Sequence, residues 1–146
     1  MAEPQYTRGA LLPLFDRLDV NEPVEAVVLD PAGLARSIER ELQQLLNTRS
    51  PLGMSELPDA PRHVINYGLP DFHALSTGSG RDAVVLLEGI RSTIEAFEPR
   101  LRNIEVKLLQ NAHSPEAVVL AIAGDMQING IMQRVKFEIA AHEQST

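Results

Sequence analysis

Glu98-Pro99-Arg100 is where residue types and spacing in this sequence come nearest to chemistry. Proline disfavours helical geometry at the residue before it. A helix reaching Glu98 must therefore stop, leaving a carboxylate and a guanidinium two residues apart on a fixed turn. Asp71, after Gly68-Leu69-Pro70, is the other carboxylate beside unusual backbone. Two carboxyls ~5–9.5 Å apart across a sugar cleft could hydrolyse a glycosidic bond, so one reading is a small peptidoglycan hydrolase using Glu98. Aromatic residues make up only 4% of the chain and tryptophan is absent, which leaves little to line a carbohydrate groove. A second reading is recognition. Arg100 offers a planar fork for a carboxylate or backbone carbonyls, and rigid placement lowers the ordering cost of binding. The plainest reading of the residues alone is an internal contact, Glu98–Arg100 or Glu98–Arg49, that locks the corner.

Other catalytic constellations are lacking. His63, His73, His113 and His142 are scattered over connectors and the tail with no metal-ligand spacing. There is no cysteine, hence no thiolate chemistry or disulfide, and no Gly-x-Ser-x-Gly. Ser76-Thr77-Gly78-Ser79-Gly80-Arg81-Asp82 is glycine-rich before a helix but lacks the lysine of a phosphate loop, so it reads as a cap with Ser79 or a neighbour at the N-cap. No cofactor and no metal are expected.

The elements that must position the corner can be read from periodicity. The 146 residues suffice for one core and hardly for two. Residues 1–30 read as an N-terminal arm, in which Leu11, Leu14 and Phe15 sit at helical spacing. The arm either folds back on its own domain or docks on a partner. Residues 31–146 form a single domain. Asp30 can cap a helix with Pro31 at its first position, and Leu34, Ile38, Leu42, Leu45 and Leu46 make one apolar stripe. Residues 50–79 are a proline- and glycine-marked connector, with a helical turn and a fixed loop expected in VINYGLPDF. A second helix runs from about Arg81 to Phe97 through Ala83, Leu87, Ile90, Ile94 and Phe97.

Three strands follow. Ile104, Val106 and Leu108 alternate with polar residues, and EAVVLAIAGDMQI reads as a central strand. Asn129-Gly130 is a two-residue hairpin signal that would pair Leu120 with Ile139, Ile122 with Phe137 and Gly124 with Val135. The expected fold class is α+β: two main helices on one face of a small antiparallel three-stranded sheet, with an N-terminal arm. The last strand, Gln133 to Ala140, carries Arg134, Lys136 and Glu138 on its outer face. That is ordinary edge protection, and also how an edge looks when it awaits another chain's strand.

A net charge of -7 and a pI near 5.0 argue against a nucleic-acid surface and against docking on anionic lipid. No run approaches the ~20 apolar residues of a membrane helix, and no signal peptide is evident. A soluble, cytoplasmic protein is expected, with no direct membrane insertion.

SIERELQQLLNTR, VINYGLPDF and IEAFEPRLRNIEVKL, in this order and spacing, resemble the TssE family of type VI secretion baseplate subunits. That family lies within the wider family of contractile-tail baseplate wedge proteins, once labelled lysozyme-like. The resemblance covers roughly residues 8–140. It implies a structural, non-enzymatic role at the cytoplasmic side of the inner membrane, with other baseplate wedge subunits and contractile sheath subunits as partners. It also implies that Glu98-Pro99-Arg100 anchors the chain on the wedge bundle, and that the sheet, with Arg134, Lys136 and Glu138, starts sheath polymerisation by strand pairing. With the resemblance, the interface reading of the corner is preferred over the internal contact. A free-standing adaptor unrelated to contraction is a further reading.

Overall fold

The computed structural model describes residues 30–57, 63–71, 80–109 and 117–142. The arm residues Leu11, Leu14 and Phe15, the cap at Ser79, and His73 and His113 lie outside the described residues.

Helix α1 spans Pro31–Leu46. It begins as the sequence requires: Asp30 has extended backbone, and its carboxylate accepts a 2.6 Å hydrogen bond from the Gly33 amide. Its expected stripe is buried, and Ser37 is buried with it. Asn47 closes the other end, donating from its backbone (3.1 Å) and its side-chain amide (2.8 Å) to the Gln43 carbonyl. Thr48 Oγ1 donates to the Gln44 carbonyl at 2.7 Å. The last turn is thereby satisfied without a glycine.

The connector is more ordered than expected. Strand β1 (Arg49–Gly53) pairs in parallel with strand β2 (Leu69–Asp71). A 3-10 turn over Val64–Asn66 precedes β2, so the expected helical turn is present, whereas the expected fixed loop is a short strand. Gly68 makes this possible. Its φ is +115°, and a Cβ there would stand 2.4 Å from the Thr48 carbonyl oxygen. That same carbonyl accepts the Leu69 amide at 2.8 Å.

Helix α2 spans Gly80–Phe97. Its buried face centres on Leu86, Gly89, Ile90, Thr93 and Ile94, while Leu87 and Phe97 are half-buried. The face is turned slightly from the expected stripe because the Met54–Leu57 turn comes down on Gly89, where a Cβ would meet the Met54 side chain at 2.5 Å.

Strands β3 (Leu101–Leu109), β4 (Ala117–Ile128) and β5 (Ile131–His142) form an antiparallel meander in that order. All three expected pairings across the hairpin are found: Leu120 with Ile139, Ile122 with Phe137, Gly124 with Val135. Asn129 (φ 50°) and Gly130 (φ +80°) make the turn, as a type I′ hairpin demands. The β3 register shifts between Arg102 and Glu105, with Asn103 left-handed at φ 49°. Helix α1 lies against β5 and α2 against β3. Both bury their apolar faces on the side of the sheet bearing Ile104, Leu120, Ile122, Phe137 and Ile139. This is the expected α+β layer with a parallel strand pair added. No helix among the described residues is long and apolar enough to cross a membrane.

A buried charged corner and an open sheet edge

The corner begins where α2 must end. The Glu98 amide still donates to the Ile94 carbonyl at 2.8 Å, Pro99 turns the chain, and the Leu101 amide returns to the Glu98 carbonyl at 3.2 Å. The Glu98 carboxylate does not project into solvent, as an interface residue would; it is 3% exposed. Arg100 closes on it from two residues away, with Nε to Oε1 at 2.7 Å, Nη2 to Oε2 at 2.6 Å, and the Arg100 amide to Oε1 at 3.2 Å. Arg100 Nη1 also donates to Ser37 Oγ on α1 at 3.0 Å. The expectation that Glu98 and Arg100 both point outward is therefore corrected: the first of the two internal contacts forms. A buried carboxylate without a partner would be costly, and the proline turn places the nearest guanidinium beside it. Pro99 itself is exposed.

Around this pair lie residues the sequence did not single out. Tyr67, next to the 3-10 turn, packs edge-to-face on Phe97, with ring centroids 5.3 Å apart. Burial pushes its phenol up to about 12, and the negative charges of Glu41 and Glu98 push in the same direction. Ser37 and Glu41 of α1, Tyr67 before β2, and Phe97, Glu98 and Arg100 at the end of α2 thus converge. All lie in the three segments that carried the family resemblance. The signal was present, but a lone tyrosine or serine in a motif does not say what it packs against.

The corner offers little to a hydrolytic mechanism. Both Glu98 oxygens are taken by Arg100, and Asp71 is an exposed residue at the end of β2. Among the described residues, no group of three or more His, Asp or Glu is placed to hold a metal ion.

The second expected site is the outer face of β5. Arg134, Lys136 and Glu138 are exposed on it, but Arg134 is not a free edge charge. It reaches back across the sheet, to Glu105 Oε1 at 2.7 Å, the Asn103 carbonyl at 3.0 Å and Asp125 Oδ1 at 3.1 Å. Asn103 donates to the other Asp125 oxygen at 2.8 Å. These bonds, Asn103's first, hold the Asp125 carboxyl below its ordinary value. The bulge at Asn103 brings its carbonyl and amide into this cluster, so Arg134 ties all three strands together. Lys136 and Glu138 carry no ion pair among the described residues.

A two-residue hairpin makes Ile128 and Ile131 a hydrogen-bonded pair, and hydrogen-bonded pairs then alternate along the ladder. The odd residues of β5 therefore face β4, while the backbone groups of Met132, Arg134, Lys136, Glu138 and Ala140 turn to the other side, an edge that no other described strand covers. The Ala140 carbonyl obeys this parity, accepting the Asn47 side-chain amide at 3.3 Å.

Several known proteins resemble this chain. The anti-adapter protein IraD of Salmonella arizonae is 26% identical over 98 residues, 67% of this chain and 75% of that protein. A chain in a structure of the baseplate complex from the type VI secretion system is 18% identical, covers 75% of this chain and 94% of its own, and superposes with a TM-score of 0.50. A crystal structure named for a tail lysozyme from Geobacter sulfurreducens is 15% identical over 83% of this chain and 99% of its own, with a TM-score of 0.44. Residues 32–130, more than half of the chain, match the family model of baseplate wedge protein gp25, so the chain belongs to that family.

Proposed function

We propose that this chain is a structural subunit of a type VI secretion baseplate, held among other wedge subunits at the Glu98-Pro99-Arg100 corner and presenting β5 to the contractile sheath. The family match over residues 32–130 carries this reading, and the fold shared with a chain of the type VI baseplate complex supports it. In this reading the corner is pre-shaped. Arg100 and Glu98 hold each other, Ser37 ties them to α1, and exposed Pro99 is the feature left for a partner. Among the described residues no strand pairs with the outer edge of β5, which leaves the backbone row that strand addition requires. The protein works in the cytoplasm, on the inner face of the inner membrane.

The test is co-purification of the chain with the wedge and sheath proteins encoded beside it, comparing wild type with Pro99→Asp. Pro99→Asp puts a charge on the exposed surface and keeps both members of the buried pair, while freeing the turn that the proline fixes. Loss of the wedge proteins from a Pro99→Asp variant that keeps the circular dichroism spectrum of the wild type is the expected result. Failure of the wild type to co-purify with them would overturn the baseplate reading. The similarity to an anti-adapter favours one other reading, an adaptor that binds a protein outside any contractile machine. Capture of a different, stoichiometric protein in the same experiment, without wedge subunits, would support it.

A further inference from the structure

Resting on the reading of β5 as a strand-addition edge, we propose that Asn47 limits that edge. We further propose that it admits a partner segment of about seven residues, facing Met132 to Glu138, in which charged and apolar residues alternate. An acidic residue faces Lys136 and a basic residue faces Glu138.

Three observations carry this. The hairpin register turns the backbone N–H and C=O groups of Met132, Arg134, Lys136 and Glu138 outward, so an added strand finds donors and acceptors at every second residue. That row stops at Ala140, whose carbonyl is already taken by the Asn47 amide from the C-cap of α1. A strand pairing past Glu138 would have to displace this hydrogen bond and the helix end behind it. Charge then sets the pattern. Arg134 is committed to Glu105 and Asp125 and asks nothing of a partner, whereas Lys136 and Glu138 have no ion pair among the described residues. Residues directly opposite on one face of a sheet favour opposite charges. Between them, Val135 and Phe137 point to the core side, so the segment must be apolar where it faces them. At the far end, exposed Ile131 (71%) and Met132 (47%) give apolar surface for its last residue.

Synthetic peptides test this on the full chain. The probe Lys-Val-Glu-Val-Thr-Val-Val pairs antiparallel, its Lys facing Glu138, its Glu facing Lys136 and its last Val facing Met132. Amide hydrogen exchange read by NMR should slow at least tenfold at Lys136 and Glu138. Exchanging the peptide's Lys and Glu should abolish this protection. A probe extended by Thr-Val at its N-terminus should not protect the Ala140 amide in the wild type, but should do so in Asn47→Ala. If Asn47→Ala lowers the melting temperature, Asn47→Gly removes the same donor with a residue that helix C-termini favour. Protection of Ala140 in the wild type, equal binding of the exchanged peptide, or no binding of either would overturn the inference. The parent reading fails separately: normal sheath formation in cells carrying Lys136→Pro would remove β5 as the sheath-facing edge. Loss of sheaths in that variant without the peptide preferences would remove only the pattern and the Asn47 limit.

Discussion

Arg100 grips Glu98 at both carboxylate oxygens, 2.7 and 2.6 Å away, across a single exposed proline. The pair is as much a fold element as a candidate contact. The Glu98 side chain is 4% exposed and that of Arg100 22%. Removing one partner of a buried pair leaves an uncompensated charge, which costs ~3–5 kcal/mol when burial is complete. With Arg100 partly solvated, Arg100→Ala should cost roughly 3 kcal/mol. The double variant Glu98→Leu/Arg100→Leu should recover part of that loss. Urea unfolding of Glu98→Leu, Arg100→Leu and the double variant measures the coupling. Additive losses would show that the two side chains do not act as a pair. A binding defect in Arg100→Ala therefore has to be read beside its stability.

Tyr67 gives the corner a pH signature. Its folded value lies at about 12 against the ordinary 10.0. The unfolded chain therefore loses the phenol proton first, and the folded state binds more protons between pH 10 and 12. Stability should be intact below pH 10 and fall as pH rises through that window. In Tyr67→Phe this component should vanish, giving a shallower alkaline loss. Denaturant midpoints at pH 8, 10 and 11 for both proteins decide it. Parallel declines would show that the phenol is not held neutral by burial beside Glu41 and Glu98.

Gly68 and Gly130 both have positive φ but should respond differently to alanine. At Gly130 nothing lies within 4 Å of the site of a Cβ, so Gly130→Ala should cost about 1 kcal/mol in backbone strain alone. At Gly68 the new methyl would meet the Thr48 carbonyl at 2.4 Å, and backbone cannot move aside as a side-chain tip can. Gly68→Ala should lower stability by at least ~3 kcal/mol, as strain and overpacking add. The β1–β2 pair should loosen first, seen as faster amide exchange at Leu69. Equal melting temperatures for the two variants would refute this account.

What the sequence made legible follows the range of the forces involved. Asp30-Pro31, the leucine stripe of α1 and Asn129-Gly130 act over a few residues, and their elements stand where periodicity and turn chemistry put them. The β1–β2 pair was not legible. Its strands are 5 and 3 residues long, one contains Pro51, and the other depends on Gly68 approaching a carbonyl twenty residues earlier in the chain. The corner was legible as a place and, through the internal Glu98–Arg100 contact that the residues alone suggested, in part as an arrangement. Glu98-Pro99-Arg100 announces a fixed turn, but the approach of Ser37 and Tyr67 is a property of packing. Arg134 likewise reads as edge protection until the Asn103 bulge supplies the carbonyl it binds.

Lys136→Pro is the variant that separates the fold of the sheet from its use. On β5, the Lys136 amide faces away from β4 by the hairpin parity, so proline there removes no bond of the meander. Its fixed φ near −65° is tolerated on an edge strand better than in a sheet interior. The cost should be below ~1 kcal/mol, the order of one net hydrogen bond. Ala121→Pro on β4 is the matched opposite. Ala121 pairs with Lys107 and, by the same parity, its amide faces β3, so proline cuts the central ladder. Ala121 is half-buried with a small side chain, so little packing is lost besides the bond. Ala121→Pro should cost ~3 kcal/mol, as an unsatisfied carbonyl on β3 is added to the lost bond and to backbone strain. Circular dichroism and thermal melts on the two variants test the parity directly. A Lys136→Pro protein that melts as low as Ala121→Pro would mean that the β5 edge is not open. A folded Lys136→Pro protein that cannot support sheath assembly, followed by fluorescence in cells, would mean that the outward row of β5 backbone groups is used by a partner.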